Sequence, residues 1–171
     1  MKTRTHMLFV TILGLGAALA ISGATRAAEP VEVSGTAIIT GVEFHQIQIP
    51  NDPDHVVFVA KSIGSITLPG LLTMMDSPIA FGEIDHGVGH YKGILSGTAP
   101  DGTLSGHNEG QFKVVMVDGK PTTPGEGHWE WTSGTGRYAN VRGHGTYTVR
   151  PGPLPGTEIA TITGTATGFE K

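Results

Sequence analysis

From Val31 onward, apolar and polar residues alternate with a period of two, the pattern of strands that turn one face to a core. Val31 to Thr40 predicts a first strand, continued from Val42 to Ile49 after Gly41. Pro50-Asn51-Asp52-Pro53-Asp54 predicts a loop. His55 to Lys61, HVVFVAK, is apolar on both faces, which suits a wholly interior strand or one whose outer face is covered by another copy. Gly64 to Leu68 ends at Pro69-Gly70, and Leu71 to Met75 reads as a short helical turn or as core filler, a role methionine suits. Ile79 to Ile84 is a short strand; Gly89 to Thr98 and Thr103 to Val117 form a hairpin around Pro100-Asp101-Gly102. Asp118-Gly119 turns the chain, Lys120 to Gly125 is a proline-bearing loop, and Pro151 to Gly156 is a rigid connector into a last strand, Glu158 to Phe169.

No window carries a sustained helical stripe, and Gly, Thr, Val and Ile dominate the strands. The fold class is all-β. Ser34-Gly35-Thr36-Ala37-Ile38 and Thr163-Gly164-Thr165-Ala166-Thr167 share one texture, so the first and last strands are expected to pair and close the sheet, which removes its exposed edges. The connections are short, so most neighbours should be sequential. The expected architecture is an antiparallel up-and-down barrel of about eight strands, calycin-like, in one domain over residues 28–171.

Glu126 to Arg150 holds both tryptophans. His128, Glu130 and Thr132 alternate with Trp129 and Trp131; later, His144, Thr146 and Thr148 share one face and Gly145, Tyr147 and Val149 the other. Ser133-Gly134-Thr135-Gly136 supplies the turn. Two antiparallel strands with one aromatic and one His/Glu/Thr face follow. Residues i and i+2 of a strand lie about 7 Å apart on one face. His128, Glu130 and His144 are therefore candidate catalytic residues, a histidine poised by a carboxylate being suited to proton transfer near neutral pH. The same pattern equally describes a solvated outer face. Trp129, Trp131, Tyr138 and Tyr147 are candidates for stacking a flat ligand, or ordinary core aromatics.

Gly134-Thr135-Gly136-Arg137-Tyr138 followed by Arg142-Gly143 resembles the G-T-G-[basic]-[aromatic]-x-x-x-R-G segment of dirigent proteins, and is similar to the glycine-rich hairpin of allene oxide cyclases. The resemblance covers one hairpin. It implies an eight-stranded antiparallel barrel, often assembled as a trimer, acting on hydrophobic or phenolic small molecules inside the barrel. It also makes Arg142 a candidate ligand-binding residue, corresponding to the arginine of the family's R-G pair. An arginine there either holds a carboxylate or phenolate or pins the irregular arm through backbone carbonyls. The chain departs from the family in its many histidines and its bacterial-looking leader.

Met1 to Ala27 reads as a secretory signal peptide: Lys2 and Arg4 give a positive start, Met7 to Ile21 is apolar, and Ala24-Thr25-Arg26-Ala27-Ala28 supplies small residues for cleavage. The apolar run is shorter than the roughly 20 residues of a membrane span, so export to the periplasm or exterior is expected, without stable membrane insertion. The net charge is −4, and removal of the leader makes the remainder more acidic; nucleic acid, which demands a basic patch, is not an expected partner. The absence of cysteine excludes thiol nucleophiles and cysteine-zinc sites.

Histidines stand at 45, 55, 86, 90, 107, 128 and 144 beyond the leader. His86 and His90 have a metal-pair spacing for a helix, but on a strand lie roughly 13 Å apart, so they and His107, which precedes Glu109 by two, are weak candidate ligands. No G-x-S-x-G elbow, P-loop or strand-to-helix G-x-G-x-x-G occurs, and no cofactor is implied.

Three functions fit these observations. The first is an exported barrel that binds a hydrophobic or aromatic small molecule and steers its cyclisation, isomerisation or elimination without a cofactor, through His/Glu acid-base chemistry. The second is a non-enzymatic periplasmic carrier. The third is a histidine-based metal-binding structural protein. The first requires the His128, Glu130 and His144 face, or tyrosine and arginine groups, to point into the barrel.

Overall fold

The computed structural model describes residues 29–117 and 119–169. The leader expected over Met1 to Ala27 lies outside the described residues, as does Asp118 of the expected Asp118-Gly119 turn. The strands, in chain order, are β1 Val31–Ile49, β2 Asp52–Leu68, β3 Leu72–Asp76, β4 Ile79–Asp85, β5 Val88–Ala99, β6 Gly102–Lys113, β7 Val115–Val117, β8 Lys120–Thr122, β9 Gly125–Gly134, β10 Arg142–Pro151 and β11 Thr157–Thr167. A turn of 3-10 helix, Gly136–Tyr138, lies between β9 and β10. Among the described residues no helix is long and apolar enough to cross a membrane.

The sheet runs β1-β11-β10-β9-β6-β5, then β3 and β4 in succession, then β2, which returns to β1. Since β3 and β4 share one place, the result is a closed antiparallel barrel of eight strands. The expected closure is present: Ser34 pairs with Thr163, and Ala37 with Ala160, between the first and last strands. β7 and β8 form a separate two-stranded ribbon.

Alternation decides what enters the barrel. Val33 and Ala37 of β1, Ile66 and Leu68 of β2, Leu104 of β6, Trp129 and Trp131 of β9, Tyr147 of β10 and Ile162 of β11 make one buried cluster. A bulge between Gly41 and Glu43 shifts the register of β1, so beyond it Phe44 takes the inward parity and stacks on Phe58. Inward glycines leave room for rings. Gly145 and Gly164 lie under Trp129, where an added Cβ at either would stand 2.7 Å from the indole edge. The Trp129 Nε1 donates to the carbonyls of Thr146 and Thr163, each at 3.2 Å, so the buried indole keeps its polar partner.

The two ends differ. At one, the arm between β9 and β10 folds over the opening: Tyr138 is 2% and Val141 0% exposed, and Phe169 packs edge-on against both Trp131 and Tyr138. Arg142 Nη1 donates to the carbonyls of Ala139 at 3.2 Å and Val141 at 2.6 Å, which pins that arm. At the other end the β1–β2 hairpin runs on past the point where β1 leaves β11, and Phe44 is 54% exposed.

Three sequence readings change. Of the two readings of Leu71 to Met75, core filler holds and the helical turn does not: Leu72–Asp76 is a strand whose Leu72 and Met74 alternate into the core while Thr73 and Met75 face out. The loop expected over Pro50 to Asp54 shrinks, since pairing resumes at Asp52. The strand expected over Thr103 to Val117 divides into β6 and β7, and the loop expected over Lys120 to Gly125 contains β8.

Candidate functional site

The open end gathers aromatic rings from strands that are not neighbours. Phe58 of β2 meets Phe112 of β6 at 6.0 Å, and Phe112 meets Tyr91 of β5 at 6.1 Å. The first of these contacts crosses the barrel, because β4 and β5 separate β2 from β6 along the sheet. Tyr91 in turn shares a short hydrogen bond with the Tyr147 hydroxyl of β10, while Tyr147 donates to the Glu109 carbonyl at 3.1 Å. With its proton committed there, Tyr147 is the acceptor for Tyr91.

Glycine makes the tyrosine pair sterically feasible. Gly110 and Gly127 lie on the two intervening strands, and a Cβ at 127 would collide with the Tyr147 hydroxyl. Burial pushes both phenols above their ordinary range, Tyr147 the further, with Tyr91 beside it adding to that shift. Both are therefore neutral hydrogen-bonding groups rather than bases. Glu158 of β11 takes the inward parity at this end, pairing with Ile39, and accepts hydrogen bonds from the backbone and hydroxyl of Thr123. The mouth thus presents three phenylalanine rings, two phenols and one carboxylate. Rings of this kind stack flat apolar molecules, and phenols and carboxylates orient polar groups.

Deeper in, two polar oxygens, Asp76 Oδ1 and Asn108 Oδ1, are buried with no hydrogen-bond partner. Desolvation raises the Asp76 carboxyl from 3.8 to about 6, against the opposing effect of backbone hydrogen bonds from Ser96 and Ser77.

The sequence-derived candidates divide by face. His128, Glu130 and His144 are exposed on the outer wall, whose parity is opposite to that of Trp129, Trp131 and Tyr147. Glu130 stands beside His144 on β10 and beside His107 on β6, where His107 Nε2 lies 3.2 Å from Glu130 Oε2. His128 pairs instead with Glu109 and Thr146. The row is therefore His107, Glu130, His144, and it lies outside the barrel. His90 and His128, with Lys92, Glu109 and Glu126, border a groove of about 890 Å³ on the outer wall. Trp129, Trp131 and Tyr138 are core aromatics, Tyr147 lies in the mouth, and Arg142 holds the arm. His86 sits in the β4–β5 turn at a positive φ of 49°, its Nδ1 2.5 Å from Asp85 Oδ1, and His90 faces the groove on β5, so the spacing that suggested a metal pair places them apart.

Tyr91, Phe44, Phe58, Phe112, Glu158 and Asp76 were not singled out from the sequence. Parity carried a signal for two of them: Tyr91 alternates with Gly89 and Gly93, and Asp76 continues the inward series of Leu72 and Met74.

No family model matches this chain, and no curated protein matches it. Two solved structures are similar to it. The pterocarpan synthase dirigent protein GePTS1 has 12% identity and a TM-score of 0.46, with 99% of this chain and 100% of that one covered. The pterocarpan synthase dirigent protein PsPTS1 has 12% identity and a TM-score of 0.49, with 85% and 99% covered.

Proposed function

We propose that this chain is an exported barrel that binds a hydrophobic or aromatic small molecule at its open end. One observation carries the reading: the ring series from Phe44 through Phe58 and Phe112 to Tyr91 ends at a hydrogen-bonded tyrosine pair inside the barrel. Rings supply apolar contact, and the phenols with Glu158 supply a polar anchor. The leader-like residues Met1 to Ala27 support export. The exposed positions of His128, Glu130 and His144 favour carriage over histidine-driven turnover; any acid-base role at this site falls to Glu158 instead.

The test is a ligand screen on tag-free protein with aromatic and polyunsaturated compounds, read by NMR shifts and by analysis of the recovered compound. The expected result is saturable binding that perturbs Phe44, Phe58 and Phe112 and weakens in Phe58→Ala. Recovery of unchanged compound identifies a carrier, and recovery of a rearranged one identifies an enzyme. Shifts confined to the outer groove would overturn the reading.

A second feature supports self-association. Ile38, Val57, Val59, Ile63, Ile79, Phe81 and Ile94 are exposed on the outer wall of β1, β2, β4 and β5, an apolar concentration of the kind that marks an interface. A second copy of this chain is the proposed occupant, in the trimer that the hairpin's resemblance implies. Analytical ultracentrifugation should show an oligomer that Phe81→Glu dissociates; a monomer at all concentrations would remove the proposal.

A further inference from the structure

Two turns at the open end bring together metal-ligating groups that are distant in sequence. One leads from β1 into β2, and Asp52 and His55 lie at the start of β2 just after it; the other joins β4 to β5, and Asp85 ends β4 just before it. The β2–β4 register sets His55 directly opposite Asp85. Ligand atoms of Asp52, His55 and Asp85 all lie within 4.8 Å of one another. The turns are fixed to each other, since the His86 backbone N–H donates to the Asp54 carbonyl at 2.9 Å. Gln48 Nε2 braces the first turn through the carbonyls of Asp52 at 2.7 Å and His55 at 3.0 Å.

The two nitrogens of His55 are used differently. Its Nε2 lies 3.2 Å from Glu83 Oε2, whereas Nδ1 lies 3.9 Å from Asp52 Oδ2. A carboxylate at Nε2 requires the N–H on that side, so a neutral ring turns its Nδ1 lone pair toward Asp52. This is the arrangement in which metal-binding histidines are usually held: the ring ligates through one nitrogen and donates through the other to a carboxylate. Asp52 Oδ1 accepts a hydrogen bond from the Asp54 backbone N–H at 3.3 Å, leaving Oδ2 on the histidine side. Asp85 receives His86 on Oδ1 and so has a second oxygen to offer. Among the described residues, the ion pairs of Asp52, Glu83 and Asp85 are with imidazoles rather than with lysine or arginine.

We propose that Asp52, His55 and Asp85 form a site for a first-row divalent cation such as Zn²⁺ or Mn²⁺, with Glu83 as the positioning residue for His55. One imidazole and two carboxylates suit those ions better than an all-oxygen set would. Three protein ligands on an accessible turn leave a further position for water or for an anionic group. Metal-ligand bonds of about 2.1 Å require the three donor atoms to draw closer than they stand, a movement open to partly exposed side chains. The site is separate from the mouth and from the outer row His107, Glu130, His144, and it does not rest on the ligand proposed for the mouth.

The experiment is calorimetric titration of tag-free protein with ZnCl₂ and, separately, MnCl₂, together with NMR of the histidine rings. One ion per chain is expected, with the His55 ring resonances moving on addition of Zn²⁺. His55→Ala should weaken binding at least tenfold. Glu83→Gln, which keeps all three ligands, should weaken it about tenfold without changing the stoichiometry, the scale seen for outer partners of metal ligands. His144→Ala, on the outer wall, should leave the isotherm unchanged. These side chains lie outside the core, and circular dichroism checks that each variant is folded. No binding of either ion at millimolar concentration, or an isotherm that His55→Ala leaves intact, would overturn the proposal.

Discussion

The two ends of this barrel are built from the same strands and differ in what covers them. At the closed end an arm of irregular chain inserts Tyr138 and Val141, is pinned by Arg142, and leaves nothing inward-facing exposed among Leu68, Leu104 and Val33. At the open end the inward parity is filled by rings from distant strands, and the outermost, Phe44, is half exposed. The glycine-rich segment, which suggested a ligand-handling barrel, therefore serves at the closed end as a stopper, and the proposed ligand site is at the opposite end. The local resemblance and the candidate site lie at opposite ends of the molecule.

The contrast can be broken from either side. The largest effect belongs to the closed end: Trp131→Ala should cost about 3–5 kcal/mol, as large aromatic-to-alanine changes in cores do, measured by urea unfolding. Phe44→Ala should cost under about 1 kcal/mol, because half of its surface is already in water. Equal losses would remove the distinction between the ends. Next comes the buried Asp76. Its folded-state carboxyl holds a proton up to about 6, against 3.8 when unfolded. The folded protein thus binds more protons between those values, and stability falls as pH rises through that window, then stays low. The full difference is roughly 3 kcal/mol, and Asp76→Asn should flatten the profile between pH 4 and 7. Gly127→Ala should cost roughly 1–3 kcal/mol by overpacking against the Tyr147 hydroxyl and the Glu109 carbonyl, and should break the tyrosine pair, visible in the near-ultraviolet circular dichroism. The smallest effect belongs to the outer wall: Glu130→Gln and His144→Ala should each stay within about 0.5 kcal/mol.

Much of the architecture was legible because it depends on local alternation and on one shared texture. The pairing of the first strand with the last followed from their likeness, though not the register that sets Ser34 opposite Thr163, and the opposite parity of His128 and Trp129 followed from a period of two. Whether the interior was open or filled was not legible. That depends on Trp129 lying over Gly145 and Gly164, and Tyr147 over Gly127, contacts fixed by the register of neighbouring strands rather than by any one segment. The mouth was hidden for a related reason: the bulge after Gly41 turns Phe44 to the inner face, and the break read at Gly41 does not by itself say that the register shifts there. His55 and Asp85 stand thirty positions apart in the sequence and meet only because β2 pairs with β4 in one register.

The seam between β1 and β11 also has a temporal meaning. Residues Val31 to Thr40 wait for Thr157 to Ala166, almost the whole described chain later, before either strand has its second neighbour. Until then a nascent sheet carries two unsatisfied borders, each a template for another strand. Such distant pairing slows folding, since a long loop must close before the contacts repay its entropy. The edge-free wall of the finished barrel thus depends on its most distant pairing, and until that seam forms both borders are open to pairing with a wrong strand.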